Sequence, residues 1–357
     1  MARIALDAMG GDFAPQAPVA GALQALAELD PAHSIQLVGQ TQVIRAQLER
    51  LLSGEFVGQE VRGVRRERLE IVEAPDVIEM SEKPGAAVRS KPNSSMIVGL
   101  RLQAEGRSDA FVSAGNTGAQ MAASMIILKL HAGLKRPAIA TIFPTARKPV
   151  VVLDSGANVD CSADELVQFA RLGTVYVQDV LGRDDPAVGL LSIGEEPEKG
   201  NGVVKEAHEL LRAAGGTLGR AEAGASGGGG LNFIGNVEGR DLPAGACDRG
   251  PIDVVVCDGF IGNVVLKFYE GIAPMVLALL HQAGVDEQKL KTALRNLDYS
   301  EHGGAPLLGV RGVSIISHGK SSPRAIKNAL KVAVQAVESR MNDHIGRRLE
   351  QNAGEAA

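Results

Sequence analysis

The 357-residue sequence predicts an α/β layered fold on a mostly parallel sheet. Three observations carry that expectation. Short apolar runs bounded by turn residues recur along the chain, and helical patterns fall between most of them, an alternation that builds parallel sheets from β-α-β units. Four of the runs also end in turns of Gly and Asn: 113–118, 154–158, 235–239 and 258–263. Glycine admits positive φ and close approach to the backbone, and Asn tolerates the same region and caps a following helix. Such loops at the carboxyl ends of strands are where open α/β sheets hold small anions.

Taken in order, strands are expected near Arg3–Asp7, Ser34–Gly39, Leu69–Ala74, Ala110–Ser113, Ala138–Phe143, Val150–Asp154, Ala187–Ile193, Leu231–Ile234, Ile252–Cys257 and Val313–Ser317. Helices are expected over Pro18–Glu28, Thr41–Leu52, Ala86–Glu105, Thr117–Leu130, Ala163–Leu181, Val203–Ala213, Val264–Gln282 and Pro323–Glu350. Pro323 follows Ser321 and Ser322, the order in which helices begin. Residues 1–350 read as one catalytic unit and 351–357 as a disordered tail.

Two stretches break the rhythm. Gly215–Gly230 is so rich in glycine that ordering it is entropically costly, and a flexible insertion is expected. Asp286–Leu297 has the pattern of a short charged helix. With the apolar Ile272–Leu280 before it, it suits either a projecting helical pair over 271–298 or a core helix followed by a surface helix.

A net charge of −5, basic residues dispersed along the chain and the absence of Trp leave no footprint for nucleic acid. Cys161, Cys247 and Cys257 are odd in number and widely spaced, which suggests neither disulfides nor zinc and fits a reducing cytoplasm. The amino terminus breaks its apolar run at Asp7, as a first strand does and a signal peptide does not. Ile272–Leu280, the longest apolar stretch, is about half of the ~20 residues a spanning helix needs, so no membrane crossing is expected.

The sharpest local signal is Ser113-Ala114-Gly115-Asn116-Thr117-Gly118, a strand end leading into a helix whose N–H groups suit phosphate or an oxyanion. His318-Gly319-Lys320-Ser321 ends like a P-loop, but Ser314 stands where that motif needs Gly, so an anion site without Walker chemistry is expected. Asp258, Asn263 and Lys267 place a carboxylate, an amide and a cation about another strand end. Asp7 and Asp12 suit Mg²⁺ or, preferably, loop capping, and no metal is assigned. The Rossmann fingerprint and the nucleophile elbow are both missing, so neither a nicotinamide cofactor nor an elbow serine is expected; Cys161 has no nearby His to activate it.

Together, Asp7–Asp12, Ser113–Gly118, Asp154–Cys161, Asn232–Asp241, Asp258–Lys267, Gly303–Gly309 and His318-Gly319 resemble the bacterial phosphate acyltransferases of phospholipid synthesis, in order and over nearly the whole chain. The resemblance implies a three-layer α/β/α fold, similar to the phosphotransacetylases and the isocitrate/isopropylmalate dehydrogenases. It implies transfer of a long-chain acyl group from acyl carrier protein to inorganic phosphate, without a cofactor. It further implies a cytoplasmic homodimer in peripheral contact with the membrane, its acyl phosphate passing to a membrane glycerol-3-phosphate acyltransferase. Rival readings are a phosphotransacetylase using acyl-coenzyme A and a non-catalytic scaffold of phospholipid synthesis.

On this reading Asn116, His318 and Asp258 carry the catalytic roles. Ser113, Gly115, Thr117 and Gly118 bind phosphate or the oxyanion, with Lys320 and Ser321 alongside; Asn263 and Lys267 position the thioester. Phosphate attacks the thioester directly, with no covalent enzyme intermediate.

Overall fold

A computed structural model describes residues 1–53, 66–215, 230–285 and 303–355. Most of the glycine-rich insertion and the whole of 286–302, including the expected charged helix, lie outside the described residues. Contacts divide the chain into two compact units, residues 1–133 with 300–357 and residues 134–299, where the sequence reading takes one.

The first unit carries β1 (Arg3–Asp7), β2 (Ser34–Gly39), β3 (Leu69–Glu73), β4 (Ala110–Ser113), β13 (Ala305–Leu308) and β14 (Ser314–Ile316). Their order is β3-β2-β1-β4-β14-β13, parallel except for the antiparallel β13–β14 pair. Central β4 is buried on both faces, which explains its uninterrupted apolar run Ala-Phe-Val. The unit's helices are α1 (Gln16–Glu28), α2 (Thr41–Leu52), α3 (Pro84–Ser90), α4 (Ser95–Ala104) and α5 (Thr117–Ile127). Near its other end come α10 (Pro323–Glu338) and α11 (Met341–Glu355).

The second unit holds β5 (Ala138–Ile139), β6 (Thr141–Phe143), β7 (Val150–Leu153), β8 (Ala187–Leu191), β9 (Asn232–Val237), a small β10 (Ala246–Cys247)/β11 (Gly250–Pro251) hairpin and β12 (Val254–Val256). Its main sheet runs β6-β7-β12-β8-β9, parallel except for β6. The helices are α6 (Ala163–Asp179), α7 (Gly202–Gly215), the one-turn α8 (Asp241–Ala244) and α9 (Gly259–Gln282). Phe143, Val152, Val237, Val255 and Cys257 make a core on which Leu266 and Tyr269 of α9 pack.

Departures from the expected elements have local causes. The expected helix over Ala86–Glu105 is two, because Pro92 restricts Lys91 before it, and Ser94 then caps α4 by accepting from Ile97 N. The last expected helix breaks at Arg340, whose φ is 52°, and α11 continues to Glu355, past the expected start of a disordered tail. The helix expected from Val264 begins five residues earlier, at Gly259, because Asp258 caps it. That 24-residue α9 is long and apolar enough to cross a membrane by length and composition, a property hidden from a count of unbroken apolar residues by Asn263, Lys267 and Glu270.

Gly99 on α4 shows how tightly the first sheet is covered: a Cβ there would lie 2.3 Å from Phe111 Cε2 of β4. Gly99→Ala is expected to destabilise the protein by about 1–3 kcal/mol, read as a lowered midpoint in urea unfolding.

Candidate active site

In the first unit the chain passes from β1 outward to β2 and β3, then returns to β4 on the other side of β1. Sheet order therefore reverses between β1 and β4, the place where open α/β sheets form a ligand crevice. The loops after β1, β4 and β14 meet there and are stitched together. Ser317 N donates to Ser113 O at 2.8 Å, and Asp12 N donates to Gly319 O at 2.8 Å. Beneath them Asp7 is buried; its carboxylate accepts from Ser113 Oγ at 2.7 Å and Met9 N at 3.1 Å. Ser113 Oγ in turn accepts from Gly115 N at 2.9 Å. A Cβ at Gly10 would lie 2.5 Å from Asp7 Oδ2 and 2.8 Å from Gly115 N, so only glycine lets these loops close.

Burial holds the Asp7 carboxyl above the usual carboxylate range, opposed by the Ser95 and Ser113 hydroxyls and the Met9 and Gly10 N–H groups. Of the two roles weighed for Asp7, this is the capping one, since its oxygens are turned into the protein.

Around this knot stand the residues singled out in the sequence. Asn116 caps α5, accepting from Ala119 N at 3.0 Å, while its Nδ2 donates to the carbonyls of Met80 at 3.1 Å and Glu82 at 3.0 Å. Its amide is thus engaged at both ends. Thr117 is exposed at the first turn of α5, where helix N–H groups lack intrahelical acceptors. Gly118 gives α3 room: a Cβ there would meet Pro84 Cγ at 2.6 Å. His318 and Lys320 are exposed and Ser321 is buried. Lys320 N donates to His318 Nδ1 at 3.2 Å, so the neutral imidazole carries its proton on Nε2. Ser113, Gly115, Asn116, Thr117, Gly118, His318, Lys320 and Ser321 thus share one end of the first unit's sheet.

The second unit repeats the device with different residues. Asp154, following β7, is fully buried and accepts from Ile139 N (3.0 Å), Ala157 N (3.1 Å), Asn158 N (2.6 Å) and Asn158 Nδ2 (2.8 Å). Burial raises its pKa against these four donors. Adjacent β12 leads to Asp258, which caps α9 by accepting from Ile261 N at 2.8 Å. A Cβ at Gly259 would meet Asn158 O at 2.5 Å, and one at Gly262 would sit 1.9 Å from Asp154 O. Asn263 is exposed beside Gly156, and Lys267 pairs with Glu270 at 2.8 Å. Asp258 and Asn263 thus belong to one loop cluster with Asp154 and Asn158, while Lys267 lies on α9 with its ammonium on Glu270.

Asp7 reads from sequence as a loop cap but not as buried, and Asp154, Asn158 and Asn236 escaped the sequence reading as organisers. A signal for two of them was present: Ile4-Ala5-Leu6-Asp7 and Val151-Val152-Leu153-Asp154 both end an apolar strand in Leu-Asp. Asn236 is fully buried beyond β8; its Nδ2 donates to Glu196 O at 2.8 Å and its Oδ1 lies 2.9 Å from His208 Nδ1. Cys161, weighed as a nucleophile, is half-buried and its thiol is pushed up to about 12, chiefly by burial and then by Asp154, Glu165 and Asp258. It is a thiol at neutral pH, not a thiolate.

An α/β protein whose polar loops gather at strand ends is the class this architecture defines, and the comparisons agree on the fold. The fold is shared with the EutD phosphotransacetylase from Staphylococcus aureus (TM-score 0.57, 15% identity, 95% of this chain and 94% of that one). It is shared also with a phosphotransacetylase from Streptococcus pyogenes (TM-score 0.56, 17% identity, 94% of each chain). A 4-hydroxythreonine-4-phosphate dehydrogenase from Klebsiella pneumoniae has the same fold (TM-score 0.53, 13% identity, 94% of this chain and 98% of that one). Residues 2–344 match a family described as "Fatty acid synthesis protein". Relatives named phosphate acyltransferase include those of Desulforamulus reducens (44% identity, 99% of each chain) and Heliobacterium modesticaldum (46% identity, 94% of each chain). The chain belongs to the phosphate acyltransferase family.

Because the Asp7 pKa is raised on folding, its contribution to stability is complete below the unfolded value and is lost as pH rises through the folded one. Asp7→Asn is therefore expected to remove a fall in unfolding free energy that sets in above about pH 4, the unfolded carboxyl's value, as pH rises. Urea unfolding of both proteins across that range checks it; an unchanged difference between them refutes it.

Proposed function

We propose that the protein transfers a long-chain fatty acyl group from the thioester of acyl carrier protein to inorganic phosphate, releasing acyl phosphate and the free carrier thiol. Family membership supports acyl transfer. The observation that carries phosphate as acceptor is the meeting of three strand-end loops beside the α5 amino terminus, with the His318 imidazole and the Lys320 ammonium exposed on one of them.

A phosphate oxygen attacks the thioester carbonyl carbon, the carbonyl oxygen becomes an oxyanion, and the C–S bond breaks to release thiolate, which takes up a proton. Phosphate is already nucleophilic at neutral pH, so the protein's task is to hold it in line and stabilise the oxyanion. The Thr117 and Gly118 end of α5 and Lys320 are assigned to phosphate. His318, its proton on Nε2, is assigned to the oxyanion or the leaving sulfur. Ser113, Gly115, Asn116 and Ser321 shape these loops. No covalent acyl-enzyme is invoked, consistent with the un-ionised Cys161 thiol.

The product, a reactive mixed anhydride with a long apolar tail, suits consumption at the membrane by a glycerol-3-phosphate acyltransferase. A cytoplasmic homodimer touching lipid peripherally fits that task, and α9 supports the contact: Phe260, Val264, Phe268, Met275 and Leu279 are all more than half exposed.

With phosphate and palmitoyl-acyl carrier protein, hydroxylamine-trapped acyl phosphate is the expected product. Formation mainly from palmitoyl-coenzyme A would make the protein a phosphotransacetylase, and none from either donor would favour the scaffold. His318→Ala and Asn116→Ala are each expected to lower turnover by more than threefold, about 0.7 kcal/mol of barrier. Smaller losses in both would overturn the site assignment. A Met275→Glu/Leu279→Glu variant is expected to lose binding to phospholipid vesicles in sedimentation while retaining turnover in solution; unchanged binding would return that face to a contact between copies.

A further inference from the structure

The connection between β3 and α3 went unremarked in the sequence, yet it is held more firmly than a surface loop requires. Lys91 Nζ donates to Val77 O at 2.7 Å and to Glu82 Oε1 at 2.5 Å. Glu82 Oε1 also accepts from Glu79 N at 2.8 Å. From the other side Asn116 Nδ2 grips Met80 O and Glu82 O at 3.1 and 3.0 Å, with Glu79 O at 3.4 Å. Capping α5 needs only the Asn116 oxygen, which Ala119 N occupies. The nitrogen is spent on holding this loop.

What the loop presents is Met80, 46% exposed. A Cβ built on Gly319 would lie 2.9 Å from Met80 Cε, so the thioether rests against the backbone of the loop that carries His318 and Lys320. Phe13, 55% exposed, follows Asp12, whose N–H is bonded to Gly319 O. A scattered exposed Met or Phe needs no explanation. Here a braced loop sets one apolar side chain directly beside polar anion loops.

We infer that Met80 receives the apolar chain of the acyl substrate next to its reacting head, and that Asn116 is the positioning residue that holds Met80 there. The inference rests on the long-chain acyl transfer proposed above. In an acyl phosphate the first methylenes are only a few bonds from the phosphoryl group. A side chain touching the anion loop therefore meets that part of the chain. A thioether is flexible and polarisable, which suits a mobile alkyl chain. One such side chain is too little apolar surface for a stable contact between copies, which buries about 800 Å² on each partner.

Dodecyl phosphate, used below its micelle concentration, and inorganic phosphate are the probes, with binding to the full chain measured by calorimetry. Met80→Ala is expected to weaken dodecyl phosphate about five- to tenfold and to leave inorganic phosphate within about twofold. Asn116→Ser keeps a capping oxygen but has no amide to reach the carbonyls. It is expected to show the same selective loss, with little further loss in the double variant. Equal loss of both probes, or unchanged dodecyl phosphate binding in Met80→Ala, would overturn the inference. So would a change of mass in sedimentation with probe binding intact, which would make Met80 a contact between copies. Met80-dependent dodecyl phosphate binding in a protein that forms no acyl phosphate would uphold the subsite while refuting the proposed reaction.

Discussion

Each of the two large sheets has one buried carboxylate at the end of a strand that gathers the loops there. A parallel strand that stops hands the chain to a loop whose N–H groups lose their ladder partners, and a buried N–H without an acceptor is costly. Asp7 and Asp154 supply acceptors at those points. Removing a carboxylate from water costs several kcal/mol. Hydrogen bonds to a charged group contribute about 1.5–3 kcal/mol each, so converging donors offset part of that cost, and burial still holds both carboxyls above their usual range. The glycines allow that convergence. Gly10 admits the approach of Asp7 to Gly115, and Gly259 and Gly262 admit the approach of α9 to the Asp154 loop.

This arrangement separates the residues that hold the loops from those left exposed on them. Asp7, Ser113, Asp154 and Asn158 face inward and are buried; Thr117, His318, Lys320 and Asn263 face outward on the loops they fix. Preorganised donors on such loops stabilise developing charge without having to reorganise during reaction. Asn116 stands at the boundary. It is a helix cap by its oxygen and a loop clasp by its nitrogen, so both ends of an amide that reads from sequence as an anion ligand are bonded within the protein.

Likeness of fold and likeness of sequence carry different weight. Phosphotransacetylases and a dehydrogenase of the phosphotransacetylase-like fold share less than a fifth of residues with this chain. The fold alone therefore does not choose among their chemistries. Identity of 44% over nearly the full length does fix the family, because it spans 99% of both chains.

The sequence by itself determined the α/β class, the positions of most strands and helices, and which loops carry polar, glycine-rich ends, because periodicity and turn chemistry are local. It also displayed both Leu-Asp strand ends, though nothing local distinguishes a buried organising Asp from an exposed cap. Tertiary structure alone decided the rest. That β14 lies beside β4, bringing His318 to Ser113 across some two hundred residues, is a matter of strand order. That Asn116 clasps Met80, and that Cys161 stays protonated, depends on burial and on neighbours remote in the chain. Pairing between distant segments follows from the whole core being packed at once, which no local pattern encodes.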